Sequence, residues 1–274
     1  MFILDITIIA LLALLGCFTG FMAGLLGIGG GLIITPFLIM LIPHSVIGPE
    51  YITHVAIATS LATIAFTSLS SVRAHHKRGA VMWKLVAGVA PGILIGSFLG
   101  AQIAGSLSAF WISLIFSLFV GMSAYKMFRN RAPSASRELP KLPGQFGAGT
   151  VIGILSALIG AGGGFISVPW MVWCNVKMHN AVATSAAFGF PIAFFGTVGY
   201  IVSGWNLPGL PGWPINFGYI CIPALFCVSA TSVLFAPLGA KVAHSINVKP
   251  LKRIFACLLC VLCAYMLFKA YSAL

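Results

Sequence analysis

The sequence GIGGG at residues 27–31, followed by Pro36, decides how this chain folds. It interrupts a run, residues 6–49, that contains no Asp, Glu, Lys or Arg. The pattern returns 133 positions later as GAGGG at 160–164, with Pro169 behind it. Flanking positions align as well: Gly20 with Gly153, Gly24 with Ala157, Leu25 with Leu158, and Leu32 with Phe165. A second pair of stretches, HVAIATS at 54–60 and HNAVATS at 179–185, aligns at an offset of 125, because the connection after the proline is shorter in the second half. The sequence is therefore a duplication whose halves meet near residue 140.

Composition places the chain in a bilayer. Of its 274 residues 60% are hydrophobic and 7% charged, against about 25% charged in soluble domains. Charge-free runs cover 6–49, 85–125, 142–176 and 178–240, each longer than the roughly 20 residues a spanning helix needs. The runs lack the short apolar/polar alternation of a transmembrane barrel, so the fold class is an all-α polytopic membrane protein. The net charge of +12 comes from residues at segment ends, not from a basic face with interleaved aromatics, and nucleic acid is excluded as a partner. Seven cysteines lie in apolar segments as small hydrophobes and imply no disulfide framework. The N-terminus has no basic leader or small-residue cleavage pattern, so it reads as a retained first membrane segment.

Along the chain, an apolar helix over 6–26 carries Gly16, Gly20 and Gly24 on one face, the spacing that lets helices approach closely in membranes. The glycine stretch ends it, and a short segment over 32–41 follows. A full helix over 52–72 carries the first HVAIATS motif and runs into the basic cluster at 73–78, which the positive-inside rule puts in the cytoplasm. Helices over 83–104 and 109–127 complete the half. The stripe of Gly92, Gly96 and Gly100 suits either internal packing or a homodimer. The second half repeats the order: 146–159, a short 165–174, then 179–202, 217–242 and 251–271. Its uncharged loop GWNLPGLPGWP at 204–214 corresponds to the basic 73–78 loop, while Lys241, Lys249, Lys252 and Arg253 correspond to the uncharged 105–108 loop. Equivalent loops thus lie on opposite sides. The halves read as two inverted-topology repeats, each a glycine-broken helical hairpin plus three full transmembrane helices, about ten helical elements in all. The first repeat spans 1–128, a cytoplasmic linker 129–144 and the second repeat 145–274, with both termini on the outer side. The hairpins either span fully or re-enter; sequence admits both.

A glycine break inside a membrane frees backbone N–H and C=O groups, which is tolerated where they line a cavity. A half-helix that starts after such a break offers amide donors and the positive end of its dipole, an anion site. Substrate-binding candidates are therefore Gly29, Gly30, Gly31, Gly162, Gly163 and Gly164, with Thr59, Ser60, Thr184 and Ser185 offering uncharged hydroxyls. His54 and His179, the only repeated titratable groups, are candidates for gating or proton transfer. The bland reading of each is a tight turn, a hydroxyl bonded to its own helix or a helix-end histidine. Asp5, Glu50 and Glu138 are the only acids and sit at segment ends, which argues against a metal or Na+ site. Cys257, Cys260 and Cys263 do not converge on a metal, and GIGGGL at 27–32 lacks the third glycine of a dinucleotide fingerprint. No cofactor is implied, and without a nucleophile, paired carboxylates or a ligand set the chain does not read as an enzyme. The rivals are a small-anion channel and a membrane-embedded sensor or enzyme.

The paired glycine stretches with Pro36 and Pro169, the twin Ala-Thr-Ser motifs and GWNLPGLP at 204–211 resemble the TauE/SafE family of sulfite and organosulfonate exporters across nearly the whole chain. The resemblance implies a permease of the bacterial or archaeal cytoplasmic membrane. It would move small sulfur-containing anions such as sulfite, sulfoacetate or other organosulfonates outward by alternating access.

Overall fold

The computed structural model describes residues 6–26, 30–42, 46–129, 137–205, 207–212, 214–243 and 249–271. It is built of helices: α1 (Ile6–Leu26), α2 (Gly31–Leu41), α3 (Pro49–His76), α4 (Trp83–Ser106), α5 (Ala109–Arg129), α6 (Leu142–Ile159), α7 (Gly164–Trp173), α8 (Met178–Ser203), α9 (Ile222–Ala243) and α10 (Lys249–Tyr271). Among the described residues eight of these are long and apolar enough to cross a membrane. The other two, α2 and α7, have 11 and 10 residues. At 1.5 Å per residue they reach about 15 Å, half the hydrocarbon thickness. Each follows a helix, α1 or α6, that is long enough to span.

Two helices form the centre. α3 and α8 are the most enclosed of the spans, and they pack against each other. Ser68 lies beside Gly189 and Leu61 beside Gly196, so position numbers fall along one helix as they rise along the other. The pair is antiparallel. Around it α9 packs on α3 and α4 on α8, α2 packs on α3 and α7 on α8, α1 pairs with α9 and α6 with α4, and α5 pairs with α10. Exchanging each helix for the one five places away turns this set of pairings into itself. The outer helices carry exposed side chains such as Ile6, Leu14, Leu118, Phe226, Val261 and Phe268, the surface a protein presents to lipid.

The small-residue stripes explain two of the pairings. A methyl group at Gly16 would run into the Val228 carbonyl, at Gly20 into the Ser232 backbone, and at Gly24 into the Ala236 carbonyl. The α4 stripe is used in the same way: Gly92, Gly96 and Gly100 seat the Phe146, Thr150 and Ile154 backbone of α6. Without a hydrophobic drive between helices in lipid, close backbone approach of this kind holds them together. The Gly92, Gly96 and Gly100 face is thus occupied within the chain. In both pairs the positions rise together, so α1 runs parallel to α9 and α4 parallel to α6.

Sequence reading placed the ninth helix from residue 217, whereas α9 starts at Ile222. Before it a two-stranded hairpin, β1 (Asn216–Phe217) and β2 (Ile220–Cys221), turns at Gly218 with φ of +58°. The left-handed turn breaks the helix there, and the Cys221 amide bonds across to the Thr59 hydroxyl on α3 at 2.9 Å. α3 also begins three residues before the expected 52, with Pro49 in its first turn, where proline suits a helix start. Of the linker expected over 129–144, residues 130–136 lie outside the described residues, while α5 runs to Arg129 and α6 starts at Leu142, four residues before the expected 146.

Gly96→Ala is expected to lower stability by about 1–3 kcal/mol, the usual cost of overpacking. Gly147→Ala on α6, where a new Cβ meets nothing within 4 Å, is expected to leave stability unchanged or slightly raised. Thermal unfolding of the purified protein in detergent checks both.

Candidate functional site

The short helices start alike. Gly30 caps α2 with φ of +73° and Gly163 caps α7 with φ of +76°, a left-handed conformation that glycine alone adopts without strain. The first ladder bonds run from Ile33 and Ile34 to the Gly30 carbonyl, and from Ile166 and Ser167 to the Gly163 carbonyl. The amides of Gly31 and Leu32, and of Gly164 and Phe165, therefore stand outside the helical ladder. Gly160, with φ of +69°, ends α6 by the same device. Of the candidate glycines, Gly29 lies outside the described residues, as do Gly27 and Ile28.

The two breaks meet. Gly31 is seated directly on the Gly160 carbonyl, and a Cβ there would stand 2.8 Å from the Ala161 Cα. Gly30, Gly31, Gly160, Ala161, Gly162, Gly163 and Gly164 are all buried. The freed carbonyls find partners on the motif helices. Ser60 donates to the Gly160 carbonyl at 2.9 Å, tying α3 to the break beyond α6. Tyr200 on α8 donates to the Ala157 carbonyl at 3.1 Å, and His75 Nε2 on α3 bonds the Gly24 carbonyl at 3.3 Å. Gly24 and Ala157 are equivalent positions, and so are His75 and Tyr200, which share the offset of 125. Two different side chains thus perform the same task, clamping the last turn of the helix before each break.

The candidate hydroxyls divide. Ser167 on α7 donates to Ser185 on α8 at 2.9 Å, and Ser60 serves Gly160, so one serine of the motif reaches a break and the other the half-helix that follows one. Thr59 and Thr184 reach elsewhere: they accept from the amides of Cys221 at 2.9 Å and Met82 at 3.1 Å, just ahead of α9 and α4. Sequence reasoning passed over Thr35 and Ser156. Both are fully buried, and among the described residues neither hydroxyl has a hydrogen-bond partner. Ser156 Oγ lies 3.0 Å from where a Cβ on Gly163 would be, and Thr35 sits on α2 a turn beyond Gly31. Such orphaned buried groups are uncommon and mark places where a further partner fits.

The two histidines lie at opposite ends of the central helix pair in unlike surroundings. His54 is buried, bonds the Leu107 carbonyl through Nε2 at 3.0 Å and stacks on Tyr219, ring centres 5.1 Å apart. Burial, with Tyr51 adding to it, pushes the Tyr219 phenol up to about 12, so this ring stays neutral. His179 is exposed. The long connection from α8 to α9 covers the first histidine, and the short connection from α3 to α4 does not cover the second. Among the described residues no three His, Cys, Asp or Glu side chains come together. Cys257 and Cys260 are exposed, and Cys263 packs its thiol on the Ser117 carbonyl of α5. The groups at the breaks are amides and hydroxyls, donors without charge, in a setting that suits an anion.

The family described as sulfite exporter TauE/SafE matches residues 12–266. A probable membrane transporter protein of Haemophilus influenzae is 35% identical over 96% of this chain and 99% of its own length. Another, from Methanocaldococcus jannaschii, is 26% identical over 95% of this chain and 96% of its own. A third, YdhB of Bacillus subtilis, is 30% identical over 72% of this chain and 79% of its own. No solved structure matches the chain. The chain belongs to the sulfite exporter TauE/SafE family, as a multi-pass membrane protein whose relatives are named as membrane transporters.

Proposed function

We propose that the protein is a secondary transporter that carries sulfur-containing oxyanions, such as sulfite, sulfoacetate or other organosulfonates, out across the cytoplasmic membrane by alternating access. The observation that carries this reading is the meeting of the two glycine breaks, Gly31 on Gly160, at the starts of the half-length helices. There the amides of Gly31, Leu32, Gly164 and Phe165 and the orphaned hydroxyls of Thr35 and Ser156 form an uncharged donor set. Ser60 and Ser185 hold its frame. Every Lys and Arg lies at a segment end, so the anion is held by dipoles and hydrogen bonds alone, which suits release as well as binding. Burial of the breaks favours a gated carrier over an open channel. The family's description supports the sulfur chemistry and the outward direction.

The halves 1–128 and 145–274 act as inverted repeats joined by the 129–144 linker, with both termini outside. The antiparallel α3 and α8 and the self-exchanging set of helix pairings support this reading. α1, which points the same way as α9, then opposes α6, its counterpart, and the same holds for α4 and α9.

Labelled sulfite, sulfoacetate and chloride offered to proteoliposomes are expected to show saturable sulfur-anion flux that unlabelled sulfur anions suppress and chloride does not. Flux of no anion by folded protein contradicts the transporter reading, and non-saturating flux of all three converts it to a channel. Thr35→Val and Ser156→Ala remove hydroxyls that satisfy no partner, so stability should hold. Each should raise KM about tenfold, the loss of one hydrogen bond to a charged group. An unchanged KM in both removes these hydroxyls from the binding set.

A further inference from the structure

The two connections that follow the motif helices are each fastened to the start of the opposite motif helix. The α8–α9 connection lies on the start of α3: Tyr51 donates to the Pro208 carbonyl at 3.1 Å, His54 stacks on Tyr219, and the Cys221 amide donates to Thr59 Oγ1 at 2.9 Å. The α3–α4 connection lies on the start of α8: Asn180 donates to the Ala80 carbonyl at 3.1 Å, and the Met82 amide donates to Thr184 Oγ1 at 3.1 Å. Thr59 and Thr184 are equivalent motif positions, and Cys221 and Met82 each directly precede the next helix, at Ile222 and Trp83. The fastenings correspond pair for pair. Because α3 and α8 run antiparallel, they stand at opposite ends of the molecule.

We propose that Thr59 and Thr184 are positioning residues that latch two opposite gates, one over each end of the central site, and that access to a face begins when its latch opens. This rests on the alternating-access reading above. Both threonines are fully buried, and each accepts an amide that a first helical turn leaves without an intrahelical partner. Opening one connection costs a buried hydrogen bond, and the antiparallel arrangement lets the other stay made. Both latches are closed in this structure, and the breaks between them are buried. Their neighbours Ser60 and Ser185 are turned by about 100° around the same helices and bond the Gly160 carbonyl and Ser167 of the half-helix α7. Each motif therefore joins a gate to the site in consecutive residues.

Cys221, buried and next to its latch, is a native reporter. A Met82→Cys substitution supplies the equivalent probe on the other side. Each would be labelled with a membrane-impermeant maleimide, in right-side-out and inside-out vesicles respectively, and read at the labelled peptide by mass spectrometry. Thr59→Val is expected to raise Cys221 labelling roughly tenfold, the factor one ordinary hydrogen bond gives, and to leave the Met82→Cys probe unchanged. Thr184→Val should do the reverse, and Thr59→Ser, which keeps the acceptor, should label as slowly as the parent. Tyr51→Phe removes only the rim bond to Pro208 and should raise Cys221 labelling by a smaller factor, which keeps the test open if Thr59→Val does not fold. Unchanged Cys221 labelling, or both probes rising together, overturns the latch. Labelling needs no substrate: side-selective labelling without anion flux retains the latch and removes the sulfur-anion reading, while flux without side-selective labelling does the opposite.

Discussion

Backbone polar groups have no water to turn to inside a bilayer, and this architecture follows from where the two glycine breaks put theirs. A break that stood alone in lipid would leave several N–H and C=O groups unpaired, each costing several kcal/mol. Here the Gly160 carbonyl is taken by Ser60, and Gly31 is pressed against it from the other break. The turns before the breaks are clamped by His75 and Tyr200. Carbonyls are satisfied in this way, whereas amides at the starts of α2 and α7 stand outside their ladders. Uncharged donors of this kind are what the anion-binding proposal rests on.

The same constraint explains why the core is polar where a soluble core would be apolar. Thr59, Ser60, Thr63, Thr67, Ser167, Thr184 and Ser185 are all buried, and most return a hydrogen bond to a backbone or to one another. α3 and α8 can occupy the middle because small and hydroxylated residues let the neighbouring helices come close. The outer helices then need only apolar side chains towards lipid and glycine stripes towards each other.

Much of this was legible in the sequence. The duplicated glycine stretches mark both breaks, and charge-free runs mark the spans, because a bilayer translates composition into structure more directly than water does. The positive-inside pattern gives the expected orientation of each half. Three things were hidden. The β1–β2 hairpin sits in an apolar stretch that composition reads as helix, and only the left-handed Gly218 and the bond to Thr59 set it apart. His75 and Tyr200 occupy one aligned position but differ in chemistry, so alignment by residue type passes over them, although the offset of 125 pairs them. Thr59 and Ser60, and likewise Thr184 and Ser185, read as one hydroxyl pair, yet consecutive helical residues face different neighbours. One of each pair reaches a connection, and the other a break or the half-helix after it.

The central claim is that the starts of α2 and α7 bind an oxyanion between them. Crystals grown in lipid with selenite, the selenium counterpart of sulfite, and measured at the selenium absorption edge place the anion directly by its anomalous signal. The account predicts a peak within hydrogen-bond reach of the amides of Gly31 and Leu32 or of Gly164 and Phe165, near Thr35 or Ser156. Selenium found only beside the lysines and arginines of the loops would contradict it.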